Sequence, residues 1–248
     1  MKTHSYQLTV ILLLFLSLLS VSFTYPLLLT DSGRTGTVLE SIGIIGTEKN
    51  TLFKSVFITQ SLPSIEQPVR LTYRIERFDS KTYQTYRETL SGREPLFTYA
   101  DSLDQKPSFL ILDVLDRVSL QHELQTDVNT QTLDYIQVQP KSKIVTSLSV
   151  VVSEAVKASI SRADALYLTT TSEGRYEISL YRDKKLLGTI LMGQMIPFAY
   201  KASSFCWKSN QKRKVELALI TETSCRCPKN TYPTYQKATD KIKRISWN

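Results

Sequence analysis

Histidine is nearly absent from this chain, two residues in 248, and that scarcity removes most of the chemistry that motifs can reveal. His4 lies in the amino-terminal segment, so His122 alone would have to serve any serine triad, cysteine–histidine pair or histidine-bearing metal site in the remainder. There is no Gly-x-Ser-x-Gly elbow, no glycine-rich phosphate loop and no His-x-x-x-His pair. Cysteine is scarce as well: Cys206, Cys225 and Cys227 are too few for a disulfide-framework fold, so an apolar core has to carry stability. Zinc would need these three thiols with the distant His122, and Cys-x-Cys differs from the usual Cys-x-x-Cys turn. Asp113 and Asp116 lack the alternating ligands and glycine of a calcium loop. The acidic residues Asp101, Asp104, Asp113, Asp116, Glu123, Asp127 and Asp134 read instead as a solvated sheet face. No catalytic, cofactor-binding or metal-ligating residue is assigned, and no cofactor is expected. Asn-x-Ser/Thr sequons are missing too, which fits a bacterial or unglycosylated protein.

What the chain does have is an amino-terminal segment, Ser5 to Thr30, without a single charge, whose stretch Leu8 to Val21 is almost solid Leu, Ile, Val and Phe. Such a segment leaves water, so it either directs export or spans the bilayer. The dense core has the length of a signal-peptide h-region, with small residues at Ser20, Ser22 and Thr24 offering cleavage before Phe23 or Tyr25. The wider run Leu8 to Leu29 continues through Pro26 and is long enough for an uncleaved anchor. Both readings keep Lys2 cytoplasmic and place everything after Thr30 outside. No cysteine is near the candidate cleavage sites, which excludes a lipoprotein anchor. No second spanning segment appears; Leu186 to Tyr200 is uncharged but is broken by Gly188, Gly193, Gln194 and Pro197. In an oxidising compartment Cys206 is expected to pair with Cys225 or Cys227, leaving one thiol over.

Charge is uneven. Residues 1–200 hold 20 Lys and Arg against 20 Asp and Glu, whereas residues 201–248 hold 11 against 3, so the net charge of +8 belongs to the last fifth of the chain. Aromatic residues, Trp247 among them, interleave with these cations. Basic plus aromatic suggests nucleic acid, but an exported surface meets anionic lipid headgroups, acidic polymers or an acidic protein instead. Tyr235, Ala238, Ile242 and Ile245 mark a short amphipathic helix that would present Lys237, Lys241, Lys243, Arg244 and Trp247 to the membrane or to a protein partner.

Between the two ends, alternation of period two dominates. Val69, Leu71, Tyr73 and Ile75 form one face of a strand and Arg70, Thr72, Arg74 and Glu76 the other. The pattern predicts a hairpin of Val38–Ile45 and Leu52–Thr59 around Glu48, Lys49 and Asn50, a strand at 82–89, a long or bent strand from Phe109 through His122 to Leu124, and a short one at 133–138. Further strands are expected at 165–171, 176–181, 186–192, 198–208 and 215–221. One helix is expected at 147–163, where Leu148, Val151, Val152, Ala155, Val156 and Ile160 recur at three- and four-residue spacing, with a strand pair as the alternative because the many valines lower helix propensity.

The stretch Thr72 to Glu76, then Tyr83 to Arg87, then Pro107 to Asp113 with Arg117 and Val118, is similar in strand order to the GIDE-type domain found beside membranes in some ubiquitin ligases, over residues 35–125. The glycine that family has between Asp113 and Arg117 is absent, as are a second membrane span and a RING domain, so the resemblance implies no ligase activity.

The expectation is an α+β, mainly β architecture. A hydrophobic helix (residues 1–30, signal peptide or anchor) is followed by one extracytoplasmic antiparallel-sheet domain (31–233) with the amphipathic helix near 147–163. A basic carboxy-terminal helix (234–248) ends the chain. The expected function is a non-catalytic interaction module, an accessory subunit of an envelope or membrane complex. The alternatives are a secreted carboxylate-based hydrolase and a signal-cleaved ligand-binding β protein.

Overall fold

The computed structural model describes residues 41–50, 55–210 and 212–246, so the amino-terminal segment lies outside the described residues. The described residues belong to one compact unit. Ten strands run β1 (Ile45–Asn50), β2 (Ser55–Ser61), β3 (Val69–Arg77), β4 (Ser108–Val114), β5 (Ser142–Val151), β6 (Ala165–Thr170), β7 (Tyr176–Arg182), β8 (Lys185–Leu191), β9 (Ile196–Ser209) and β10 (Val215–Glu222). Five α-helices accompany them among the described residues: α1 (Ser80–Thr89), α2 (Arg117–Glu123), α3 (Thr130–Val138), α4 (Glu154–Ser161) and α5 (Tyr235–Ser246). The fold is therefore mainly β with a few helices. Every strand pairing is antiparallel, in the order β10-β9-β5-β4-β3-β6-β7-β8.

β5 is the hub. One of its edges carries β9 along Lys143–Val151, while the other is shared between β1 at Ser142–Ile144 and β4 at Ser147–Val150. Ile42, Ile44, Ile45, Leu71, Leu110, Leu112, Leu148 and Trp207 are all at most 2% exposed and form the main core. Helix α2 touches both β3 and β10, strands four places apart in the sheet, so the sheet curls around this core. The opposite face divides. At one end Phe78, Tyr86, Phe109 and Phe198 pack into an aromatic cluster under α1, with Phe78 and Phe109 ring centroids 4.7 Å apart. At the other end the same face is polar.

Local chemistry explains where the sequence pattern misleads. Residues 82–89, expected as a strand, lie in α1: Asp79 caps it, accepting the Thr82 N–H at 2.7 Å while the Thr82 hydroxyl accepts the Asp79 N–H at 3.0 Å. Tyr83, Tyr86 and Leu90 then fall at helical spacing on the aromatic cluster. Tyr83–Arg87, matched to a strand in the resemblance above, is thus helical. The expected long strand ends at Val114, and His122 sits exposed on α2, opened by Asp116, whose carboxylate accepts the Ser119 N–H at 2.9 Å. Leu120 and Leu124, two alternation steps apart, are equally one helical turn apart, and both are fully buried. Residues 133–138 lie in α3 for the same reason, with Ile136 buried and Leu133 packed against the core.

The helix expected over 147–163 is half strand. β5 extends to Val151 because it is buried on both faces, and a run of apolar residues buried on both faces carries no period. Only Glu154–Ser161 is helical, opened by Ser153. The amino-terminal hairpin exists, but Glu48 and Lys49 sit within β1 opposite Phe57 and Val56, and its turn falls outside the described residues. Gly46 allows it: a Cβ there would lie 2.1 Å from the Ile58 carbonyl oxygen and 2.7 Å from the Phe57 ring. The β7–β8 hairpin closes on a two-residue turn, with Asp183 and Lys184 both at positive φ (50° and 63°).

A buried polar strut, absent from any sequence pattern, holds the loop before β3. Glu123, 1% exposed, is not part of a solvated sheet face; its carboxylate accepts the backbone N–H groups of Glu66 (2.8 Å) and Gln67 (3.1 Å). Asn129, also buried, accepts the Ser64 N–H at 2.8 Å and donates to the Ser64 carbonyl at 2.7 Å.

Candidate functional site: a basic helix and a charged cleft

The basic carboxy-terminal section begins with β9 and β10. Their connection turns on Asn210, whose side-chain oxygen accepts the N–H groups of Lys212 and Lys214 at 3.0 Å each, leaving Lys212, Arg213 and Lys214 exposed at the tip. Beyond β10 the chain is tied back twice. Cys206, fully buried on β9, is joined to Cys227, with 5.8 Å between the Cα atoms, while Cys225 is exposed and free. Trp207 and Tyr232 then exchange backbone hydrogen bonds at 2.7 Å in both directions.

These ties deliver α5 onto the sheet. The Tyr235 ring stands edge-on to Trp207 at 5.3 Å, Ala238 is fully buried, and the helix contacts β9, β10 and α3. With that stripe facing the core, Lys237, Lys241 and Lys243 are exposed on the outer side. For Arg244 only the backbone, within α5, is described, and Trp247 lies outside the described residues. The cations of α5 are therefore held on a packed helix, not on a solvated tail.

A charged cleft of about 1020 Å³ opens on the polar half of the sheet's other face. Its floor follows from strand register: Thr72 faces Asp113, Asp113 faces Ser147 and Ser147 faces Lys201, one residue from each of β3, β4, β5 and β9. The buried hydroxyls of Thr146 and Ser203 bond each other at 2.7 Å beside it. Around the rim Arg74 pairs with Asp113 at 3.5 Å, Arg117 with Glu222 at 3.3 Å, and Lys143 with Glu48. Lys201 forms no ion pair among the described residues. Each carboxylate lining the cleft is thus engaged by a cation.

Of the acidic residues singled out in the sequence only Asp113 lies on a strand, and Asp101 and Asp116 make local hydrogen bonds instead. Hydrogen bonds from the Ser80 and Tyr99 hydroxyls hold the exposed Asp101 below the usual carboxylate range, and the Ser119 N–H and hydroxyl do the same for Asp116. Among the described residues no group of three or more His, Cys, Asp or Glu side chains is placed to hold a metal ion. None of the described helices is long and apolar enough to cross a membrane.

Sequence reasoning missed the cleft, because its residues come from strands distant in the chain. Only their period-two placement on β3, opposite Val69, Leu71 and Tyr73, gave a signal. Comparison with known protein families, with curated proteins and with solved structures finds no match to this chain.

Proposed function

We propose that this chain is a non-catalytic interaction module of the cell envelope, exported or anchored by Leu8–Leu29, which offers the basic surface of its last fifth to an acidic protein partner. The observation that carries the reading is the seating of α5: Ala238 at 0% exposure and Tyr235 against Trp207 fix the outward direction of Lys237 and Lys241. A tail free in solvent would pay conformational entropy on docking for each long side chain and for the backbone. A pre-formed helix avoids the backbone share of that cost. Lys212, Arg213 and Lys214, exposed at the β9–β10 tip, extend the same charge. The disulfide suits an oxidising location outside the cytosol.

The test is charge reversal with the fold preserved. Deleting Tyr235–Asn248 would uncover Trp207 and confuse loss of binding with loss of structure, so the double variant Lys237→Glu, Lys241→Glu is the informative one. Polyglutamate is the suitable probe, because an anionic vesicle would also take up Leu8–Leu29. Salt-sensitive binding by the native chain and its loss in the variant are expected. Equal binding by both would refute the proposal.

A further inference from the structure

We propose that the open face of β3, β6 and β7 is a second binding site, for an anionic saccharide. It is a depression of about 580 Å³, within the usual size of ligand pockets, open to solvent rather than enclosed. Its shape follows from strand register. Arg70 on β3 faces Tyr167 on β6, which faces Ser179 on β7; in the next row Ala165 faces Tyr181. Large and small side chains alternate diagonally, so two tyrosine rings stand over the short Ala165 and Ser179. The rings meet edge to face, 5.5 Å apart at 89°, and neither hydroxyl has a partner among the described residues.

The charges of the site point to one sign of ligand. Asp164 already accepts the Asp183 N–H at 2.9 Å, and the Asp183 carboxylate lies 3.9 Å from the Arg182 guanidinium. The two cations, Arg70 and Lys184, make no ion pair or side-chain hydrogen bond among the described residues. A neutral backbone N–H leaves the Asp164 charge in place, so among the described residues two unpaired cations stand against one unpaired carboxylate and the balance is positive. An aromatic platform takes the apolar C–H face of a pyranose ring, while its free hydroxyls and those of Ser179 and Thr169 match sugar hydroxyls. Arg70, planar and always charged, suits a bidentate carboxylate or phosphate on the same sugar. A ligand with all three features is a saccharide bearing an acid group, and an open groove admits it as a segment of a longer chain. The site is independent of the α5 surface.

The experiment measures binding of oligogalacturonate, neutral maltoheptaose and polyglutamate to the full chain in polyoxyethylene detergent micelles. Oligogalacturonate is expected to bind and maltoheptaose to bind at least about tenfold more weakly, the cost of losing charge-assisted bonds. Tyr167→Ala and Arg70→Gln should each weaken oligogalacturonate binding about tenfold while leaving polyglutamate binding intact. Arg70 is exposed, so its variant keeps the fold and protects the test from a destabilised Tyr167→Ala. The Lys237→Glu, Lys241→Glu variant should behave in the opposite way, separating this site from the basic helix. Absence of oligogalacturonate binding, equal binding of the neutral oligomer, or native affinity in both site variants would overturn the proposal. So would displacement of the saccharide by a proline-rich peptide that binds more tightly, since aromatic grooves also accept that ligand.

Discussion

Breaking the Cys206–Cys227 bond offers a quantitative check on how the basic section is held. The bridge spans 21 positions, from a fully buried sulfur on β9 to the segment beyond β10. Treated as loss of loop-closure entropy in the unfolded chain, a loop of that length is worth about 3.3 kcal/mol. For a chain of this size each kcal/mol moves the melting temperature about 2–4 °C, so removal should lower it by about 7–13 °C. The informative variant is Cys227→Ala in a Cys225→Ala background, because a free Cys225 two residues away could otherwise re-pair with Cys206. Left alone, Cys206 remains as a small buried hydrophobe and adds little penalty of its own. Melting followed by circular dichroism, with and without reductant, gives the reading. Cys225→Ala alone should melt like the native chain, since its thiol is exposed and unpaired. A shift under 2 °C in the double variant, or an equal loss from Cys225→Ala alone, would refute the assigned pairing and its energetic role.

Two further outcomes follow from local geometry. Asp79, Asp101 and Asp116 are held below the usual carboxylate range by hydrogen bonds present only in the folded state, so their stabilisation is full above that range and is lost as pH falls through the lowered values. Urea midpoints should be level near neutrality and drop below about pH 4, less steeply in Asp116→Asn; a stability that rises on acidification would contradict this. Gly46→Ala forces a Cβ against the Ile58 carbonyl and the Phe57 ring, and overpacking of that kind costs about 1–3 kcal/mol or more. Native-like urea stability in that variant would show that β1 and β2 do not approach as described.

How much of this was legible in the sequence depends on which signal a segment carried. Strands with one wet face, such as β3 with Val69 and Leu71 inside and Arg70 outside, were readable because alternation survives there. The run at 109–124 was misread because Leu120, His122 and Leu124 satisfy both periods, and the deciding feature was the cap at Asp116. β5 was misread as helix because burial on both faces erases the period. The basic helix was legible as a pattern, but its attachment through Trp207 and Tyr232 was not, since that contact joins residues 25 apart through a backbone bridge. The charged cleft and the tyrosine groove were invisible for the same reason: each is assembled across three or more strands by register. Glu123 read as a surface acid because nothing in sequence announces that Glu66 and Gln67 will bring two N–H groups to it.

The central claim, that the fixed outer face of α5 is an interaction surface, is tested most directly by binding of the full detergent-solubilised chain to immobilised polyglutamate across a salt series. Contact through Lys237 and Lys241 should be strong at low salt, weaken steadily as salt is added, and be abolished at every salt concentration by Lys237→Glu, Lys241→Glu, with an unchanged melting temperature. Binding that ignores salt, or that survives in the charge-reversed chain, would contradict it.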